Sequence, residues 1–207
     1  MRTRPRAPVC RNAALSAAML AAAVATAVGT AMSAPPDNLR PVKSRFTTFD
    51  LRDCTVVKRH QDGGAWRCEG VPGYPVYVAE GDLRVFMSFG ANPDRRRAAT
   101  QTLKPFNALS EGPHNRIIIE WRTQARDGKE RPYAAIVRYL TSSDTAKGQV
   151  LVVTRITETE ACHMAYVDAL ANPEPVTLAR SAADELAAGF DCRTQPRVIG
   201  VSGKSPM

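Results

Sequence analysis

The chain has 207 residues, with 28 Lys and Arg against 20 Asp and Glu, a formal net charge of +8. Four of those cations, Arg2, Arg4, Arg6 and Arg11, fall within residues 1–33, which hold no acid, so the remainder carries only +4. That mild balance does not support nucleic-acid binding, which requires a concentrated basic face, while about 170 residues suffice for one domain with its own core.

Residues 1–33 have the three parts of a signal peptide: the basic MRTRPRAPVCRN, the uncharged, Ala-rich AALSAAMLAAAVATAVGTAMSA, and small residues before Pro35 and Pro36. Cleavage after Ser33 puts Ala31 and Ser33 at the small-residue positions; cleavage after Ala31 is the close rival. An uncleaved anchor has about the ~20-residue length needed to span a bilayer, but alanine gives it low membrane affinity. Cys10 precedes the apolar run, so it is not a lipidation site. Nothing after residue 36 is apolar for long enough to span a membrane, so no transmembrane span is expected after signal cleavage. The leader predicts a periplasmic or secreted protein. Residues 34–45, Pro-rich and polar, read as a flexible N-terminal arm. A single α+β domain is expected over 46–195, and residues 196–207 as a C-terminal tail.

The first signal in the domain is DCTVVKRHQDGGAWRCEG, 53–70. Cys54 and Cys68 lie on two β-rich runs separated by the turn signal Asp62-Gly63-Gly64. With Cys162 and Cys192 they make an even set of four in an exported chain, which reads as a disulfide framework. Sequence neighbours favour Cys54–Cys68 and Cys162–Cys192; the crossed pairing, Cys54–Cys192 with Cys68–Cys162, stays open. Zinc would need close ligand pairs, whereas these cysteines are far apart and His60 stands alone between two of them. There is no Cys-x-x-Cys for redox chemistry. No cofactor or metal is expected.

Next, Tyr74, Val76 and Val78, then Leu83, Val85, Met87 and Phe89, alternate with other residues on either side of Glu80-Gly81. This predicts a hairpin turning at Glu80-Gly81, with Val78 facing Leu83 and Val76 facing Val85. After an insert at 91–114, RIIIEWRTQ and PYAAIVRYL flank Asp127-Gly128, a strong hairpin signal. QVLVVTRIT and ACHMAYVDA flank a turn near Glu158-Thr159-Glu160, and VLVV, apolar on both faces, predicts a central strand. The period then becomes helical: Asn172 as cap, Pro173 in the first turn, Ala179, Ala182, Ala183, Leu186 and Phe190 on one face, and Gly189 as the stop. The sum is α+β: an antiparallel sheet built from hairpins with one C-terminal helix packed on it, and two disulfides.

The densest charge lies in the insert: Arg95, Arg96, Arg97 and Lys104, a candidate patch for an anionic envelope component or protein. A solvated loop would look the same. Cys162-His163 imitates a nucleophile beside its base, but neighbours on a regular strand point to opposite faces. Gly203-Lys204-Ser205 imitates the end of a phosphate loop, but Val198 stands where its first glycine belongs. His60, His114 and His163 are linked by no ligand spacing. Glu158 and Glu160 share a turn and read as its solvating residues. No catalytic residue is assigned. A non-catalytic binding or envelope-accessory module is expected; the alternative is a secreted hydrolase whose site is assembled from distant residues.

The motifs Trp66-Arg67-Cys68, Gly70, Gly73-Tyr74-Pro75-Val76, Gly81-Asp82-Leu83-Arg84 and Ser88-Phe89-Gly90 are joined by Gly148-Gln149-Val150-Leu151-Val152-Val153, Tyr166-Val167-Asp168-Ala169 and Asn172-Pro173. Together they resemble small exported proteins of alphaproteobacteria, a group with no assigned function. The resemblance implies export and paired cysteines, and transfers no catalytic residue.

Overall fold

The alternating runs form strands. A computed structural model describes residues 41–110 and 116–207; the leader expected over 1–33 lies outside them. In chain order the strands are β1 (Val42–Phe49), β2 (Thr55–His60), β3 (Gly63–Cys68), β4 (Val76–Gly81), β5 (Arg84–Phe89), β6 (Phe106–Ala108), β7 (Ile117–Arg126), β8 (Lys129–Ser142), β9 (Lys147–Ile156), β10 (Ala161–Asp168) and β11 (Arg197–Val198). The helix α1 spans Pro175–Leu186. Strands β2-β3-β4-β5 form one sheet. The larger sheet runs β1-β7-β8-β9-β10-β11, with β6 on the end of β8. All pairs are antiparallel except β10 with β11.

The large sheet is the middle of three layers. Val150 and Val152 of β9 face the small sheet and join Val76, Val78, Val85, Met87, Phe89 and Trp121 in one core. Leu151 and Val153, on the opposite face, pack with Ala179, Ala182 and Ala183 of α1 in the other. This is why VLVV carries no polar residue: with β8 on one side, β10 on the other and a layer on each face, no side of this stretch of β9 meets water. Short alanine side chains let the helix lie close to the sheet. Polar contacts fasten it: both carboxylate oxygens of Asp184 accept from Arg122 at 2.9 and 2.6 Å. Buried Glu120 takes the Arg180 guanidinium at 2.6 and 3.1 Å.

The disulfides are Cys54–Cys68 and Cys162–Cys192. The first closes the β2–β3 hairpin, and the second ties β10 to the segment after α1. In the chain-entropy account each restricts the unfolded chain by about 3–4 kcal/mol.

The β7–β8 hairpin turns at Asp127-Gly128, both at positive φ, as expected. The β4–β5 hairpin differs. Its turn is Asp82-Leu83, at φ 52° and 57°, so Val78 pairs with Met87 and Val76 with Phe89. The shift is an even number of residues, so Val76, Val78, Val85 and Met87 still face the core. Leu83 is expelled to the tip, 70% exposed. The contacts that hold this turn come from elsewhere: the Leu83 carbonyl accepts from Asn107 N, and Asn107 Oδ1 accepts from Val85 N, both at 3.0 Å.

Three local expectations also change. The helix begins at Pro175, and Asn172 does not cap it. The Asn172 amide donates to the carbonyls of Asp168 and Val201 instead, at 2.9 and 2.7 Å. β1 begins at Val42, inside the expected 34–45 arm, because its backbone pairs with β7 from Val42↔Gln124 onward. The 196–207 tail is docked: β11 pairs with β10, and Ser205 is buried.

Candidate functional site

Residues 91–110 of the expected insert are pinned by buried apolar residues and by hydrogen bonds. Ala98 and Leu103 are buried, Thr102 donates to the Val85 carbonyl at 2.6 Å, and Asn107 bonds Leu103 and Pro105 carbonyls. With 98 and 103 turned inward, their neighbours Arg97 and Lys104 are left exposed. They line a cleft of ≈ 570 Å³ together with Arg84, Gln101, Tyr166 and Gln195.

The cations differ in availability. Arg84 is committed: it donates to the Lys104 carbonyl at 2.9 Å and pairs with Asp82, and its guanidinium lies over Phe106. The Arg97 and Lys104 side chains have no hydrogen-bonded partner among the described residues. Arg96, beside them, is structural. It donates to the carbonyls of Ala91, Glu158 and Thr159, holding the insert to the β9–β10 turn. Arg95 is exposed. The sequence patch therefore divides: Arg97 and Lys104 face the cleft, Arg96 is a staple, and Arg95 meets solvent.

Behind the cleft wall lies a buried histidine. β10 carries a bulge between His163 and Ala165, so Met164 and Ala165 both face the helix and His163 and Tyr166 both face the small sheet. His163 Nδ1 lies 3.0 Å from the Tyr166 hydroxyl, and its backbone N–H donates to Gln101 Oε1 at 2.9 Å. Its Nε2 is buried with no hydrogen-bond partner among the described residues, and the Tyr139 ring meets the imidazole edge-on. Burial lowers the His163 pKa to about 3, keeping the ring neutral. Burial also pushes the Tyr166 hydroxyl up to about 12, so it holds its proton.

The remaining candidates are placed elsewhere. Cys162 is a disulfide half on the face opposite His163. His60 ends the exposed strand β2, and His114 lies outside the described residues. Glu158 accepts from Arg131, and Glu160 lies 3.5 Å from Arg155. The Gly203-Lys204-Ser205 backbone does bind an anion, an internal one. All three N–H groups donate to Asp168 Oδ2 at 3.1, 2.8 and 2.8 Å. The Ser205 hydroxyl donates to Oδ1 at 2.6 Å. Burial alone would raise the Asp168 pKa; the Ser205 hydroxyl and the backbone donors outweigh it and lower the value. No group of three or more potential metal ligands occurs among the described residues.

A second cleft, ≈ 890 Å³, lies between the β4–β5 turn and the end of β8, with Leu83, Phe106 and Leu170 at its rim. Sequence reading missed Arg84, Gln101, Tyr166 and Gln195. The one available signal was the spacing of Ala98 and Leu103, which turns Arg97 and Lys104 outward together. No protein-family model, curated protein or solved structure matches the chain. No helix among the described residues is long and apolar enough to cross a membrane. The two disulfides are compatible with an oxidising compartment.

Proposed function

We propose that the protein is an exported module, periplasmic or secreted, that binds an anionic partner in the Arg97–Lys104 cleft without catalysing a reaction. The observation that carries this reading is that Arg97 and Lys104, whose side chains have no hydrogen-bonded partner among the described residues, line one concavity with Gln101, Tyr166 and Gln195; Asp191 feels part of the Arg97 charge. Export is supported by the three-part leader, the two disulfides and the resemblance to small exported proteins. A hydrolase would need a histidine, an acid and a hydroxyl around a cleft. His163 meets the hydroxyl of Tyr166, but its contacts include no carboxylate among the described residues.

Two measurements test the proposal. Intact mass of the protein from its native compartment should place the start between residues 32 and 35; a mass retaining Met1 would overturn export. In amide NMR, pyrophosphate should shift residues 97–104 and Tyr166, and the Arg97→Glu/Lys104→Glu variant should lose the response. The response should weaken with salt, because the charges are exposed. Shifts scattered over the surface, or retained in the double variant, would reject the cleft.

A further inference from the structure

We infer that His163 orients the cleft as a donor-only site for a dianionic oxyanion of the sulfate or phosphate kind. This deepens the anion-binding reading and rests on it. The argument begins with hydrogen-bond inventory. A neutral imidazole has one N–H and one lone pair. Nδ1 is bonded to Tyr166, and Nε2 is buried with no partner among the described residues. If the proton sat on Nε2, the buried orphan would be an unsatisfied donor. With the proton on Nδ1, the orphan is a lone pair in an aromatic pocket, and buried unpaired donors are rarer than under-satisfied acceptors. The favoured tautomer therefore donates from Nδ1 to the Tyr166 oxygen. The Tyr166 proton is then free to point elsewhere, and Tyr166 lines the cleft.

The same residue sets a second group. Gln101 Oε1 is occupied by the His163 backbone N–H, which leaves the Gln101 amide NH₂ as its unused face. One histidine thus fixes two cleft side chains as donors. The neighbouring threonines add none, because the Thr100 hydroxyl donates to the Arg97 carbonyl and Thr102 to Val85. Arg97 and Lys104 bring two charges without hydrogen-bonded partners among the described residues, the first of them felt by Asp191, and the charge of Arg84 is offset by Asp82. Lys104, Arg97 (whose charge Asp191 partly offsets) and the proton-bearing tips of Gln101 and Tyr166 favour a ligand that has two negative charges and accepts hydrogen bonds. Sulfate and the three unprotonated oxygens of the phosphate dianion meet that description, and a single carboxylate lacks the second charge.

The experiment joins titration calorimetry with sulfate, phosphate and acetate to ¹⁵N NMR of the His163 ring, on the mature protein and on Tyr166→Phe. The expected result is a protonated Nδ1, binding of sulfate and phosphate at pH 8 well above that of acetate, and loss of at least about tenfold in Tyr166→Phe. That loss is the scale of one hydrogen bond to a charged group. If His163 carries its proton on Nε2, or Tyr166→Phe binds as tightly, or acetate binds as well as sulfate, the donor-only assignment falls while the cleft stands. If none of the three anions binds the native protein, both fall.

Discussion

His163 and Tyr166 are three residues apart on β10, yet Nδ1 and the phenol oxygen meet at 3.0 Å. On a regular strand, residues at i and i+3 point to opposite faces. The extra residue at Met164 restores them to the same face, so the bulge creates the pair that stands behind the cleft.

Acid should destabilise the fold through His163. Its folded pKa is lowered to about 3 by burial, below the ~6.5 of an unfolded histidine. As pH falls, the unfolded chain takes the proton first. The stabilisation is complete above about pH 6.5 and is lost as pH falls toward the folded value, with a slope of roughly 1.4 kcal/mol per pH unit. Urea unfolding at pH 7, 6 and 5 measures this, and His163→Gln should flatten the dependence. An unchanged slope in the variant would contradict the assignment.

The disulfides should separate cleanly. Replacing Cys54 and Cys68 with Ala, or Cys162 and Cys192 with Ala, should each cost about 3–4 kcal/mol in unfolding free energy. Non-reducing peptide mapping should find no peptide linking Cys54 to Cys192.

Asp168 gathers the end of β10 and residues 203–205. Besides the bonds from 203–205 it accepts the N–H groups of Leu170 and Ala171 at 3.1 and 3.2 Å. Asp168→Asn keeps the size but presents an NH₂ to donors. It should cost about 2–4 kcal/mol, the range of a buried charged group losing its bonds. Hydrogen exchange should show protection lost at 197–205 first.

The arginine run should behave as three different residues. Arg95→Ala should change stability by no more than about 0.5 kcal/mol, as exposed substitutions do. Arg96→Ala removes the staple to the Glu158 and Thr159 carbonyls and should loosen the β9–β10 turn, visible as faster amide exchange at 158–160. Arg97→Ala should spare that turn and weaken anion binding. A triple charge reversal would confuse the last two effects, so the single variants decide.

The sheet was legible because its signals are local. Asp127-Gly128 forces a turn at one place, and VLVV requires cover on both faces. The sequence distance between Cys54 and Cys68 matches one hairpin. What sequence could not show depends on distant partners. Asp82-Leu83 turns where Asn107, more than twenty residues on, can hold it. Asn172 abandons the helix because Val201 offers better partners for its amide. The tail looked like solvent-exposed chain because the carboxylate that its N–H groups surround lies some 35 residues earlier. For the site, the charge of Arg97 and Lys104 was readable, whereas Tyr166 enters the cleft only through a bulge, which leaves no compositional mark.

The whole β2–β5 sheet lies between β1 and β7 in sequence, although β1 and β7 are direct neighbours in space. Its four strands are consecutive, so they can zip together as each is released, and Cys54 can find Cys68 at a separation of 14. β1 must wait for a partner beginning at Ile117, and contacts between distant segments form late because the intervening loop must close first. Oxidative refolding should therefore show two tempos. The Cys54–Cys68 bond should appear early, while β1 remains open to exchange. Cys162–Cys192 should follow once α1 has docked, and the β1–β7 seam should be the last part of the large sheet to become protected.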